Sequence, residues 1–168
     1  RMRGSKEGCA EGDCGACTVL VGRLLNGDLV YESVNSCIRF TGSLDGCHVV
    51  TIEALAGKDG ALHPVQQAMV DAHGSQCGFC TPGIVMSLYG LWLQSPDPST
   101  SEIEKALQGN LCRCTGYEVI VSAAKAASKA DRMRDALVSE RIRIKHQLAA
   151  LADGKRVELG AGDARMII

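Results

Sequence analysis

The spacing of apolar residues changes character once along the chain. Between residues 18 and 56 the apolar positions form short β-branched runs, Thr18-Val-Leu-Val21, Leu29-Val-Tyr-Glu-Ser-Val34 and His48-Val-Val-Thr-Ile52. These predict three strands, the first two joined by a turn at Asn26-Gly27-Asp28. The polar stretch Gly57-Lys-Asp-Gly60 breaks that pattern, and beyond it the spacing is helical. Val65, Ala68, Met69 and Ala72 fall at i, i+3, i+4 and i+7 behind Pro64, which predicts a helix that Gly74 stops. Pro82 opens an almost wholly apolar second helix through Ile84, Val85, Leu88, Leu91 and Trp92, expected to be the most buried, ending at Ser95-Pro-Asp-Pro98. Ser101-Glu-Ile-Glu104 fits a capping box for a short third helix with Ile103, Ala106 and Leu107 inward and Gly109 at its end. An alanine-rich fourth helix runs from Tyr117 to Ala130. Residues 131–150 put Leu137, Ile144 and Leu148 on one stripe among mixed charges, which predicts a linker helix that packs on something larger; Arg156 to Ile168 ends on apolar residues without a closing signal. The expected class is α+β, with strands in residues 1–56, a four-helix bundle in 61–130 and a linker in 131–168.

Charge removes several kinds of partner. A formal net charge of −1 over 168 residues leaves no global field for nucleic acid or an anionic membrane, so neither is expected. No run approaches the roughly 18 consecutive apolar residues of a membrane span. The start, Arg1 to Gly8, is polar and unlike a signal peptide. A soluble, cytoplasmic chain is therefore expected, and the lack of an initiator methionine predicts an excised piece.

Nine cysteines in a reducing compartment point to metal ligation before disulfides. Cys9, Cys14 and Cys17 form C-x4-C-x2-C, and Cys37 follows the predicted strand pair. That is the spacing of a plant-type [2Fe–2S] loop, in which three thiolates come from one tight turn and the fourth from elsewhere. Glycines 8, 12 and 15 let backbone N–H groups approach sulfur. A second set pairs Cys77-Gly-Phe-Cys80 with Cys112-Arg-Cys114. Thr81-Pro82 and Thr115 are placed to open helices directly after these thiols, so that two helix N-termini would face an anionic cluster. Zinc also takes sets of four cysteines, and a disulfide loop is a further alternative, but the spacing with clustered glycines favours iron–sulfur chemistry. Cys47 is left over and reads as a small buried strand residue. His48, His63, His73 and His146 repeat no ligand spacing and read as surface or capping residues, while Met86 and Trp92 fit a helix core. No phosphate loop, nucleophile elbow or carboxylate pair is evident, so a catalytic centre is not expected on this chain.

Lys6-Glu-Gly-Cys-Ala-Glu-Gly-Asp-Cys-Gly-Ala-Cys-Thr18, Gln76-Cys-Gly-Phe-Cys-Thr-Pro-Gly83 and Gly109-Asn-Leu-Cys-Arg-Cys-Thr-Gly-Tyr117 together resemble the iron–sulfur part of molybdenum hydroxylases of the xanthine oxidase family. The likeness runs from about Gly4 to Ala130, and Leu62 to Cys77 looks most like the small subunit of bacterial xanthine dehydrogenase. The resemblance implies a partial β-grasp ferredoxin domain followed by the helical [2Fe–2S]-binding bundle. It implies two [2Fe–2S] clusters, on Cys9, Cys14, Cys17 and Cys37 and on Cys77, Cys80, Cys112 and Cys114. These would relay electrons from a molybdopterin centre on a large subunit to FAD and NAD during xanthine or hypoxanthine hydroxylation in purine catabolism. The second cluster would lie next to the pterin, with Gln76 contacting it, and the first toward the flavin. Aldehyde, nicotinate or carbon monoxide enzymes of the same family are the alternative, followed by a free-standing electron carrier or a zinc-stabilised interaction module. Relatives carry an N-terminal hairpin before the Lys6 loop, many have proline at the position of Val119, and an FAD domain begins near where Ile168 stands. The resemblance therefore implies a piece lacking that hairpin and the FAD domain.

Overall fold

The computed structural model describes residues 3–57, 59–129, 134–154 and 165–167, the last group and residues 134–137 by backbone alone. Its architecture is a small antiparallel sheet packed against helices. The strands are β1 (Thr18–Leu25), β2 (Asp28–Asn35), β3 (His48–Val50) and β4 (Arg165–Ile167), in the order β2-β1-β3-β4. The helices are α1 (Pro64–Asp71), α2 (Thr81–Gln94), α3 (Thr100–Ala106), α4 (Glu118–Ser128) and α5 (Arg134–Ala152). Among the described residues no helix is long and apolar enough to cross a membrane.

The hairpin forms where the sequence places it. Leu25 pairs with Asp28, so the loop is Asn26-Gly27 alone, both residues with positive φ (52° and 84°). That is the mirror-image turn whose twist matches the flanking strands. Its register sets Thr18 opposite Asn35, which brings the residues just before β1 beside those just after β2. The third strand is shorter than expected: β3 stops at Val50, and Ile52–Ala54 turn as a single 3-10 turn. Across the sheet Gly22 lies between Tyr31 and His48 in register. Without a side chain there, the Tyr31 hydroxyl reaches over Gly22 to His48 Nδ1 at 2.8 Å. His48 is thus a buried strand residue, neither at the surface nor a cap. Cys47 is buried beside Val19, Val21 and Val49 on the other side of the sheet, as a packing residue.

Helix ends shift from expectation for identifiable reasons. His63 caps α1, its Nδ1 accepting from Val65 N (3.2 Å) while Gln66 answers the His63 N–H, and it is buried with its ring edge-on to Tyr89 and Trp92. The α3 capping box is Ser99 with Glu102, two residues before the Ser101–Glu104 pair, because Pro98 fixes the entry. Helix α2 begins at Thr81 with Cys80 itself at the cap position, and Thr81 Oγ1 bonds Ser75 Oγ instead of capping. Helix α4 starts at Glu118, preceded by Tyr117 at φ 71°, so Thr115 does not cap it. The expected end of α4 at Ala130 lies outside the described residues.

The core is continuous from sheet to helices. Leu20, Leu29, Tyr31 and Val50 share one cluster with Ile84, Met86, Leu88 and Trp92 of α2 and with Ile103, Ile120 and Ala123. Helix α5, read from sequence as a linker bound for something larger, lays Ile144 and Leu148 into this same core. It is tied down by Arg141, whose Nη2 donates to Leu29 O at 3.1 Å. The Leu137 side chain lies outside the described residues. The apolar end of the chain contributes β4, which pairs with β3 at the sheet edge; the residues between α5 and β4 are outside the described set.

Candidate functional site

The hairpin register builds the first thiol set. Cys17 directly precedes β1 and Cys37 sits in the short turn after β2, so closing the hairpin brings them together: Cys37 N–H points at Cys17 Sγ (3.4 Å) and Ser36 Oγ donates to Cys17 O (2.8 Å). The preceding loop is wound tightly by left-handed residues at Ala10, Gly12 and Gly15. This turns the Asp13 and Cys14 N–H groups onto Cys9 Sγ, each at 3.4 Å. Those donors favour a thiolate, and the N–H groups of Cys14, Glu11 and Asp13 hold Cys9 down at about 6. Its partner trend is opposite at Cys37, which is raised by sharing a hydrogen bond with Cys17. Asn35 Nδ2 closes the loop onto Gly12 O.

The second set forms where α2 begins and where the 110–117 loop folds over it. Cys77 is lowered by the Phe79 N–H and by Cys114, and Cys80 is pushed up to about 12 by burial and by Cys112. Burial raises Cys112 too, but the Thr115 hydroxyl, 3.2 Å from its sulfur, and the N–H groups of Thr115 and Cys114 outweigh it. Thr115 thus serves the sulfur and not a helix end. Gln76, exposed, donates from Nε2 to Cys114 O at 3.2 Å. Tyr117 returns its hydroxyl to accept from Cys112 N (2.7 Å) and donate to Asn110 O (2.9 Å).

All eight cysteines singled out by spacing fall into these two sets, within each of which the thiols shift one another's protonation: Cys9, Cys17 and Cys37, with Cys14 beside Cys9, in the first, and Cys77, Cys80, Cys112 and Cys114 in the second. Among the described residues, no three His, Cys, Asp or Glu side chains converge as they would around one ion. A [2Fe–2S] cluster takes four thiolates, so sets of four cysteines with N–H groups aimed at sulfur fit that group.

The two sets lie close together because glycine backbones touch between them. A Cβ on Gly83, in the first turn of α2, would sit 2.0 Å from Gly15 O, and one on Gly15 would sit 2.1 Å from Gly109 O. The Phe79 ring reaches toward the loop of the first set, its Cε1 3.1 Å from where Gly8 would carry a Cβ. Apolar side chains beside the thiols remain exposed, most of all Phe40 at 84%, with Ile38, Phe79 and Leu111. Sequence reading passed over Tyr117, which bonds within its own loop, and over Asn110 and Gly83, whose partners lie far away in sequence; the Asn110 side chain meets Gly15, separated by 95 positions.

Residues 51–125 match the family model of the [2Fe-2S] binding domain. Xanthine dehydrogenase of Drosophila subobscura is 49% identical over 131 residues, 77% of this chain and 10% of that protein. Xanthine dehydrogenase/oxidase of Mus musculus is 50% identical over 128 residues, 75% of this chain and again 10% of the relative. The chain thus spans about a tenth of the length of the curated relatives it matches. Among solved structures, quinoline 2-oxidoreductase from Pseudomonas putida 86 superposes with a TM-score of 0.66 at 36% identity, covering 77% of this chain and 75% of that one. Aldehyde oxidoreductase from Desulfovibrio gigas gives 0.65 at 33% identity, covering 84% of this chain and 14% of that one. The chain belongs to the iron–sulfur family of the molybdenum hydroxylases, the oxidoreductases among which xanthine dehydrogenase stands.

Proposed function

We propose that this chain carries two [2Fe–2S] clusters, on Cys9, Cys14, Cys17 and Cys37 and on Cys77, Cys80, Cys112 and Cys114, and relays electrons between a molybdopterin centre and FAD during purine hydroxylation. The observation that carries it is the gathering of eight thiols into two adjacent sets of four, with N–H donors aimed at sulfur. When bound, such clusters accept and give one electron at a time, which lets a two-electron oxidation feed a flavin in single steps. The protein's part is to hold the thiolates, offset their charge with N–H groups and keep the two sets close.

Exposure supports an orientation. In the second set Cys77 and Cys114 are exposed beside Gln76, while Cys80 and Cys112 are turned inward. We assign this outer face to the pterin, with Gln76 as a contact, on a molybdopterin-binding subunit. The first set, flanked by exposed Ile38 and Phe40, is assigned to the flavin side. Residues 1–56 form a ferredoxin-like β-grasp unit in this reading, 61–130 the helical cluster unit, and 131–168 the lead toward an FAD domain in a cytoplasmic enzyme.

A related substrate is the second reading, favoured by the likeness to quinoline 2-oxidoreductase, which covers three quarters of that chain. Identity to the xanthine dehydrogenases, 49% against 36%, ranks purines first. Reconstituted protein is expected to hold about four irons and give two distinct [2Fe–2S] resonance signals; one signal, or zinc in their place, ends the proposal. Copurifying the molybdenum subunit and assaying xanthine, quinoline and an aldehyde ranks the substrates, and a preference other than xanthine withdraws the purine assignment alone.

A further inference from the structure

Three hydrogen bonds in the seam between the two thiol sets meet on one side chain. Asn110 is only 3% exposed, and its amide is fully engaged: Nδ2 donates to Gly15 O and to Thr18 Oγ1, both at 3.1 Å, and Oδ1 accepts from Ser87 Oγ at 2.6 Å. Thr18 Oγ1 in turn donates to Gly15 O at 2.7 Å. Asn110 therefore fastens its own segment to the backbone between Cys14 and β1, with α2 as the third anchor. Its neighbour Leu111 donates from N–H to Cys14 O at 3.0 Å. From Cys14 to Cys112 the route then follows covalent bonds across that one hydrogen bond, without a jump through space.

We infer that Asn110 is the positioning residue for electron exchange between the two sites: by clamping Gly15, Thr18 and Ser87 it holds the Cys14–Leu111 hydrogen bond that joins one thiol set to the other. The inference rests on the two-cluster reading above. In the exchange one electron leaves a reduced iron pair and enters the oxidised one, Fe(II) becoming Fe(III) as Fe(III) becomes Fe(II), with no bond broken and no proton moved. Tunnelling weakens steeply when a bonded route acquires a gap, so a small loosening here acts on rate before it acts on either site alone. Asparagine suits the position because a short amide supplies two donors and an acceptor without charge.

The test uses the full chain loaded with iron and sulfide, supplied with single electrons from a photoreduced flavin. Asn110→Ala is expected to keep its iron and the g-values of each cluster, while exchange between them slows at least about tenfold, the scale of effect that small misplacements produce. The magnetic splitting of the doubly reduced protein is expected to shrink with it. Wild-type exchange and splitting in a fully loaded variant overturn the inference. If Asn110→Ala loses iron, Thr18→Val and Ser87→Ala, each removing one of the three Asn110 bonds and the former also the Thr18–Gly15 bond, decide: slowed exchange in either supports it and wild-type exchange in both overturns it. A wild-type chain with a single cluster signal removes the two-cluster reading and this inference together, whereas two signals with unaltered exchange in the variants remove only the inference.

Discussion

At His63 the fold uses a residue in a way that fixes its protonation state. Nδ1 accepts from Val65 N, so the ring proton belongs on Nε2, which is buried without a hydrogen-bond partner while the ring packs edge-on to Tyr89 and Trp92 at 4.9 and 4.8 Å. A second proton would set Nδ1–H against the Val65 N–H and strand a charge in the core, and burial accordingly pushes the group down to about 4. The unfolded chain, with a histidine near 6.5, binds more protons across that window, so this contribution to stability is complete above about pH 6.5 and is lost as pH falls toward about 4. Between pH 7 and pH 5 the loss is about 2 kcal/mol. His63→Asn retains a capping side chain that does not titrate in this range. Denaturant midpoints at pH 7 and pH 5 should therefore differ less in the variant than in wild type; an equal midpoint difference in the two proteins would contradict this account. The cap was legible in sequence, where His63 precedes Pro64, but burial was not, because Tyr89 and Trp92 come from another helix.

Elements set by local chemistry were the most legible, and those set by distant partners the least. The Asn26-Gly27 hairpin and the apolar α2 follow from residues within a few positions, and both stand where expected. The grouping of the eight thiols into two sets was legible for the same reason, since most of them recur at short spacings. Strand β4 escaped because three residues carry no period and their pairing partner β3 lies far away. The attachment of α5 escaped because the surface that receives Ile144 and Leu148 is built by the sheet and α2. At α3 two overlapping Ser-x-x-Glu patterns compete, and only the first makes the bonds: Ser99 N donates to Glu102 Oε2 at 2.8 Å and Ser99 Oγ accepts from Glu102 N at 3.2 Å. Ser99→Ala should cost about 1 kcal/mol, the usual worth of a cap. Ser101→Ala, inside the exposed first turn, should be neutral or slightly stabilising, since alanine is the better helix former. Chemical denaturation of the two variants distinguishes them, and a larger loss in Ser101→Ala would reverse the assignment.

Over the whole molecule, the two thiol sets belong to segments that the sequence separates at Gly57-Lys-Asp-Gly60, yet one core spans both. Leu20 and Val50 of the sheet pack in the same cluster as Ile84, Ile103 and Ile120 of the helices, and Gln94 Nε2 donates to Tyr31 O at 3.0 Å. With Gly83 seated on the Gly15 backbone, neither segment can open without disturbing the loop that supplies the other's thiols. On the two-cluster proposal, loading adds a shared electrostatic consequence: replacing four neutral thiols by an assembly of about −2 in each set would take the formal charge from −1 to about −5. Loaded protein should focus at a more acidic position than stripped protein in a native isoelectric gradient. On heating, visible absorbance from both clusters and helical circular dichroism should fall with one common midpoint, because the binding sites and the core share a cooperative unit. Iron removal should lower the midpoint of the protein as a whole, and two separate bleaching steps, or a focused band halfway between loaded and stripped forms during heating, would mean that the segments melt independently despite their common core.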